Sequence, residues 1–401
     1  MPRTLPPSRP GLPWLLPWLL SLLLFGASLP GCGLRDGGGE NLVAPELVRT
    51  HLYVAPGGSD SSPGTRAEPF RTLGRAAQVA SAGTTVHVAP GSYSGGVRTT
   101  AHGTAEARIV FQSTERWGAR IVPPLDARQN AAWDNRGDHV DIIGFEIDGS
   151  QYQSGMKWLN GIYNGGSHNG VLHNRIHHIG TDVPCENKGG SGIGIDSYYK
   201  GVDAEVTGNQ VYDIGPPGCR YMHGIYVNTN ATVRNNIVYR VSGAAIHLWR
   251  DASHVTVQGN TVANSGTGIV VGAGEYFHSK GPNDHTHVSN NIVFDNGHGI
   301  LERGATGPNN SFRHNLVVQN VHGDWKLADG RHHSGTVSAA PLFVDYSRDG
   351  NPDFHLRRGS PAIGQGLAPE TVGAGGAGSA TAGLQLAPRK TDIGALPFAE
   401  P

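Results

Sequence analysis

The chain has 401 residues, with 31 Lys and Arg against 32 Asp and Glu and a formal net charge of −1, which excludes nucleic-acid binding driven by phosphate neutralisation. Hydrophobic residues at 37% are too many for a disordered chain. The 59 glycines, about twice the usual share, follow no three-residue period, so collagen is excluded and turn-rich β structure is favoured over helical classes.

Residues 1–32 read as an export signal: Arg3 and Arg9 precede an apolar run from Leu15 to Phe25 that Pro17 interrupts. That run is short and proline-broken for a membrane span. Leu29-Pro30-Gly31-Cys32 resembles the bacterial lipoprotein box, with Pro30 where a small or aliphatic residue is usual. The resemblance implies lipidation at Cys32 and a lipid anchor to the outer membrane or cell surface; ordinary cleavage would leave a periplasmic or extracellular protein. Residues 33–50, with Gly37-Gly38-Gly39, then read as a flexible tether.

From 51 to 398 a single domain is expected: an N-terminal cap and first coil over 51–95, clear repeats over 140–320, and a closing segment over 340–398. Leu73, Ala76, Ala77 and Ala80 give the i, i+3, i+4, i+7 stripe of a short helix. Further on, one phrase recurs: apolar, two variable residues, Asn, one variable residue, apolar. Its copies centre on Asn174, Asn209, Asn236, Asn260, Asn291 and Asn315, with Phe145 in the slot of an earlier copy. Successive spacings are 29, 35, 27, 24, 31 and 24 residues, a base of 24 plus insertions. A second phrase, a small residue followed by Ile, follows each slot at Gly161-Ile162, Gly192-Ile193, Gly224-Ile225, Ala245-Ile246, Gly268-Ile269 and Gly299-Ile300. Two short strands per coil are expected, stacked as a parallel β-solenoid that climbs ~4.8 Å per coil. The asparagines are expected to form a structural ladder.

The chain resembles the secreted right-handed parallel β-helix proteins of the pectin-lyase-like superfamily over nearly all of 51–398. The resemblance rests on Leu52-Tyr53-Val54-Ala55-Pro56-Gly57-Gly58 and Pro69-Phe70-Arg71-Thr72-Leu73 at the start, and on Pro341-Leu342-Phe343-Val344-Asp345, Gly359-Ser360-Pro361-Ala362-Ile363 and Asp392-Ile393-Gly394-Ala395 near the end. It implies an all-β fold with the helix capping one end. It also implies polysaccharide as the partner, with polyuronate β-elimination, glycan binding without catalysis, and hydrolysis or epimerisation as the readings to weigh.

From each Asn slot to the following Ile the offsets are 17, 19, 16, 10, 9 and 9, so consecutive coils carry extra residues at one corner, near 150–160, 181–191 and 215–222. These build a wall, and an insertion near 272–286 forms the opposite lip. Between them run outward positions: Tyr163, Tyr226 and His247 in one row, Asp196, Asn228 and Trp249 in the next, with Arg250 and His223 alongside. Sugars are held by aromatic platforms and planar hydrogen-bonding groups, so this strip is the candidate site. His247, Tyr226, Arg250 and His223 are the catalytic candidates: His247 and Tyr226 as base and relay, Arg250 as partner of a uronate carboxylate. Trp249, Asn228, Asp196 and Tyr163 are the substrate-binding candidates. Ca²⁺ is an alternative neutraliser of the carboxylate. Asp196, Asp251 and Glu275 leave room for the carboxylate pair of a hydrolase. His223 taken alone reads as a turn histidine, and His177-His178 shows no zinc-site spacing. No EF-hand follows Asp345, and the chain is expected to be a monomer.

The cysteines make a sharper prediction. Cys185 lies 11 residues after Asn174 and Cys219 10 after Asn209, matching slots on adjacent coils within disulfide reach. An oxidising compartment would let them pair, leaving Cys32 for lipid.

Overall fold

The computed structural model describes residues 49–186, 189–367 and 391–398. The expected signal segment, most of the tether and Cys32 lie outside the described residues.

Among the described residues the strands stack into three parallel sheets of eleven, nine and nine strands. The chain visits them in turn, so each coil has three strands where two were expected. The cause is the Asn phrase, which is two strands and a corner: Gly170–Leu172 and Arg175–Ile179 lie in different sheets, with Asn174 between them. Every residue before the slot adopts a left-handed conformation, at Gly144, His173, Gly208, Asn235, Gly259, Asn290 and His314. Gly and Asn suit that conformation because a Cβ is absent or the side chain bonds locally. One such residue turns the chain sharply from sheet to sheet.

The asparagine that follows fills the corner. Asn236 Nδ2 donates to Asn260 Oδ1 at 3.0 Å and to the Val206 carbonyl at 2.9 Å, while its Oδ1 accepts from the Asn209 backbone at 2.9 Å and the Asn209 amide at 2.9 Å. The pattern repeats through Asn174, Asn209, Asn236, Asn260, Asn291 and Asn315, all buried. Buried polar groups are thereby satisfied without water.

Inside, residues stack in register. In the third sheet Val97, Trp133, Ile162, Ile193, Ile225, Ile246, Ile269 and Ile300 form one column, none more than 3% exposed. Burying each such aliphatic side chain contributes about 1.5–3 kcal/mol. The helix Leu73–Val79 forms where the stripe predicts it. Thr72 caps it by accepting from the Arg75 amide, and Leu73, Ala76 and Ala77 are buried. At the C-terminal side, Phe343–Asp345 pairs antiparallel with Asp353–Leu356. Phe343, Phe354 and Ile393 cover Tyr239, Phe294 and Leu316 on the outer face of the second sheet. That face is closed to ligands there, whereas the outer face of the third sheet stays open.

Candidate functional site

The open face carries its side chains in rows because parallel pairing fixes the register. Tyr163 pairs with Gly194, Gly194 with Tyr226, and Tyr226 with His247, which is the expected first row. In the preceding row Asn160, Ser191 and His223 are aligned. These rows floor a cleft of about 670 Å³ lined also by Asp196, Asn228, Trp249, Arg250, Glu275, Phe277, Arg220, Tyr221 and Arg303. All eight strip residues expected from the sequence therefore lie in one cleft.

The wall is built by the corner insertions. Cys185 and Cys219 are disulfide-bonded with their Cα atoms 5.4 Å apart, tying two insertions on adjacent coils as the slot arithmetic predicts. The lip is held by Asp251. Its Oδ1 accepts from Ser279 N at 2.8 Å, Ser279 Oγ at 2.9 Å and His278 N at 3.1 Å, and its Oδ2 from Ser197 Oγ at 2.7 Å and Phe277 N at 3.2 Å. Asp251 is thus a clamp, not the free carboxylate that a hydrolase pair needs. Asp196 is also engaged: Tyr163 Oη donates to Oδ2 at 3.0 Å, and Asn228 Nδ2 and the Tyr198 amide donate to Oδ1 at 3.2 and 3.0 Å. Beside the cleft the Arg136 guanidinium lies 4.5 Å from the Tyr163 ring centre and 3.8 Å from that of Tyr199. That stacking takes ring surface that the sequence suggested for sugar.

Trp249 rests on a shelf of glycines. A Cβ on Gly272, Gly274 or Gly304 would come within 2.9, 2.9 and 2.7 Å of the indole. The bare backbone lets the ring lie flat beside the cleft, the arrangement a sugar platform needs.

His223 and Tyr226 are stacked with centroids 5.0 Å apart, and His223 meets His247 edge-on at 4.3 Å. His223 Nε2 lies 3.1 Å from His247 Nδ1, and the Ala244 amide donates to His223 Nδ1 at 3.3 Å. Burial pushes His223 down to about 3. Burial, then the charges of His223 and Arg303, hold His247 well below the ordinary histidine range. A ring held below the ordinary histidine range is a weak base, which argues against the base role expected of His247. Burial pushes the Tyr226 hydroxyl up to about 12, against the pull of Arg250. Among the described residues two buried polar atoms of the cleft have no partner: His247 Nε2 and Asn228 Oδ1.

Three arginines line the cleft. Arg250 donates to the Glu275 carbonyl at 2.8 Å and lies 4.2 Å from the Phe277 ring centre, and Arg220 donates to Tyr221 Oη at 2.7 Å. Among the described residues none of Arg220, Arg250 and Arg303 forms an ion pair with a carboxylate. Arg303 and Arg220 were not expected. Arg303 pairs with Gly272, so following the outward row for two coils past Trp249 would have found it. Arg220 sits in an insertion, where no periodicity points to it.

Among the described residues the cleft is a poor match for Ca²⁺, because both Asp196 oxygens already accept hydrogen bonds and Glu275 is the one other carboxylate of the lining. Outside it, Asp148, His177 and His178 bring potential ligand atoms within 4.8 Å of one another. Arg120 is ion-paired with Asp148 and His177 Nε2 lies 3.3 Å from Glu146, so this cluster is satisfied as a hydrogen-bonded network.

Comparison with known proteins agrees with this architecture. The family model described as right handed beta helix region matches residues 131–334, and that described as protein of unknown function (DUF1565) matches 56–100. The uncharacterized protein YwoF of Bacillus subtilis (strain 168) is 33% identical over 139 residues, a stretch covering 33% of this chain and only 29% of that protein. Among solved structures, a glycoside hydrolase superposes with a TM-score of 0.54 at 8% identity, covering 72% of this chain and 96% of its own. The pectate lyase Pel9A gives a TM-score of 0.48 at 16% identity, covering 88% and 97%. At such identities the likeness is one of fold. With the family model spanning half of the chain and three stacked parallel sheets beneath it, the chain belongs to the right-handed β-helix family.

Proposed function

We propose that this cleft binds an anionic polysaccharide and cleaves it by β-elimination at a uronate residue. The observation that carries the reading is the set of three arginines without carboxylate partners around a floor of Tyr226, His247 and Asn228. Unpaired guanidinium groups in a concave site are matched by a carboxylate on the ligand. The solved lyases and hydrolases of similar fold act on carbohydrate by their names, which is consistent with this reading without selecting the reaction.

In the proposed step Arg250 holds the uronate carboxylate, and Trp249 stacks on the neighbouring sugar. Tyr226, as the phenolate, takes the C5 proton. The C–H electron pair becomes the C4=C5 double bond, the C4–O4 bond breaks with its pair, and the departing O4 takes a proton from Tyr226, which returns to phenolate. A hydroxyl near 12 makes the active form scarce at neutral pH, so turnover should climb with pH. Sodium polygalacturonate and alginate, each with and without Ca²⁺, are the test substrates, and the ultraviolet absorbance of the unsaturated product is the readout. Arg250→Gln should raise KM by ~10- to 100-fold, the worth of a hydrogen bond to a charged group. No unsaturated product from any polyuronate, with unchanged binding in Arg250→Gln, would refute the proposal. The flat seat of Trp249 supports a second reading, glycan retention without cleavage; binding lost in Trp249→Ala with no turnover in the unaltered protein would select it.

A further inference from the structure

The buried pair His223 and His247 has no task in the proton transfers above, and among the described residues His247 Nε2 has no partner. The directions of the hydrogen bonds around this pair are nevertheless determined. A backbone amide can only donate. Since the Ala244 amide points at His223 Nδ1 at 3.3 Å, that nitrogen carries the lone pair and the proton of the neutral ring is on Nε2. That proton faces His247 Nδ1 at 3.1 Å, which must accept it. The remaining proton of His247 therefore sits on Nε2, the orphaned atom in the cleft lining.

We infer that His223 is a positioning residue: it carries the direction of one backbone amide through two imidazoles and presents His247 as a fixed, neutral Nε2–H donor to an oxygen of the bound ligand. Protonating His247 would place an N–H on Nδ1 against the N–H of His223, so the same geometry keeps the donor uncharged. The charged or titratable groups facing His247 are His223 and Tyr226 on the strand Met222–Val227 and Arg303 on the strand His298–Gly304. None of them accepts from Nε2.

The identity of the oxygen rests on the proposed function. As C5 loses its proton, charge accumulates on the uronate carboxyl group, and a preorganised donor stabilises that charge without reorganisation. A neutral imidazole is suited to this because it donates without competing for the proton that Tyr226 removes. Asn228 Oδ1, the other orphaned atom, is left to accept from a hydroxyl of the same sugar. A donor for the carboxyl group beside an acceptor for a hydroxyl selects a uronate with a free hydroxyl, and disfavours methyl-esterified or acetylated residues at this position.

The experiment uses the protein labelled with ¹⁵N-histidine, with His247 assigned by comparison with His247→Phe. Without ligand, His247 should carry its proton on Nε2 and show no titration between about pH 5 and 8. His223→Phe keeps the ring stacked on Tyr226 but removes the donor. In that variant the His247 proton should distribute between Nδ1 and Nε2 instead of staying on Nε2, and sodium polygalacturonate affinity and kcat should each fall several-fold. His223→Gln, whose amide can donate to Nδ1, should restore the unaltered behaviour. A proton found on His247 Nδ1, or titration of His247 between pH 5 and 8 in the unaltered protein, overturns the inference. So does a folded His223→Phe variant in which His247 keeps its proton on Nε2 alone. The fixed donor seen in a protein that neither binds nor cleaves polygalacturonate and alginate supports the inference and removes the polyuronate reading instead.

Discussion

Replacing Asp251 with Asn should open the lip of the cleft without touching the groups proposed to react. The carboxylate accepts from Ser197, Phe277, His278 and Ser279 on two loops. An amide offers one acceptor oxygen. Turned so that its NH₂ faces Ser197, whose hydroxyl rotates to accept, it still leaves the Phe277 amide opposed by a donor and removes the charge from the remaining bonds. Hydrogen bonds to a charged group are worth about 1.5–3 kcal/mol each, and partial exposure of this loop lowers that. A net loss of about 2–3 kcal/mol in lip docking corresponds to a ~30- to 150-fold larger open fraction. Amide hydrogen exchange reads this directly: Phe277, His278 and Ser279 should lose protection by that factor while the Asn ladder keeps its own. KM should rise because the chain after Arg250 and the ring of Phe277 leave the rim. The pH dependence has a definite sign. Burial alone would raise the Asp251 carboxyl, but the Ser197 hydroxyl and the lip amides hold it below the usual carboxylate range. Its stabilisation is therefore complete above about pH 3.8 and is lost only as pH falls through the lower folded value, so no lip opening is expected between pH 5 and 8. Unchanged exchange at 277–279 with turnover abolished would refute the clamp and return Asp251 to the chemistry.

Gly274→Ala places a methyl group 2.9 Å from the Trp249 ring, with the indole the nearest group, so it should tilt the platform and weaken glycan binding ~10-fold in affinity electrophoresis while leaving the fold intact. Asn236→Ala removes donors and acceptors to Asn260, Val206 and Asn209 from a waterless corner and should cost about 2–4 kcal/mol by guanidinium denaturation. For the proposed lipid anchor, Cys32→Ala should abolish processing at that position and release the protein from the detergent phase; an unmodified mature N-terminus downstream of Cys32 in mass spectrometry would refute it.

The fold was legible because it is written many times over. Each Asn corner repeats within a short interval, and each small-Ile phrase marks the third-sheet strand. The third strand per coil was missed because the left-handed residue before the Asn has no single identity. Gly208, Asn235, Gly259 and His173 all serve, and only their shared backbone geometry reveals the bend. The rows of the site were legible for the same reason as the fold. Parallel register carries Tyr163, Tyr226 and His247 to one line whatever their chemistry.

Roles were not legible, because they depend on groups that register does not place. Asp251 looks the same in sequence whether it cleaves a sugar or clamps a loop, and the outcome turns on where Phe277, His278 and Ser279 bring their amides. Arg220 reaches the cleft from an insertion whose path is constrained by the Cys185–Cys219 bridge. Even within register, His247 reads as a base until its neighbour is known to be His223, and His223 until its own neighbour is the Ala244 amide. A solenoid therefore settles from its repeats which side chains share a surface, while the direction in which each proton points is settled by single contacts that occur once. Chemistry on this fold is to be sought where the repeat is broken.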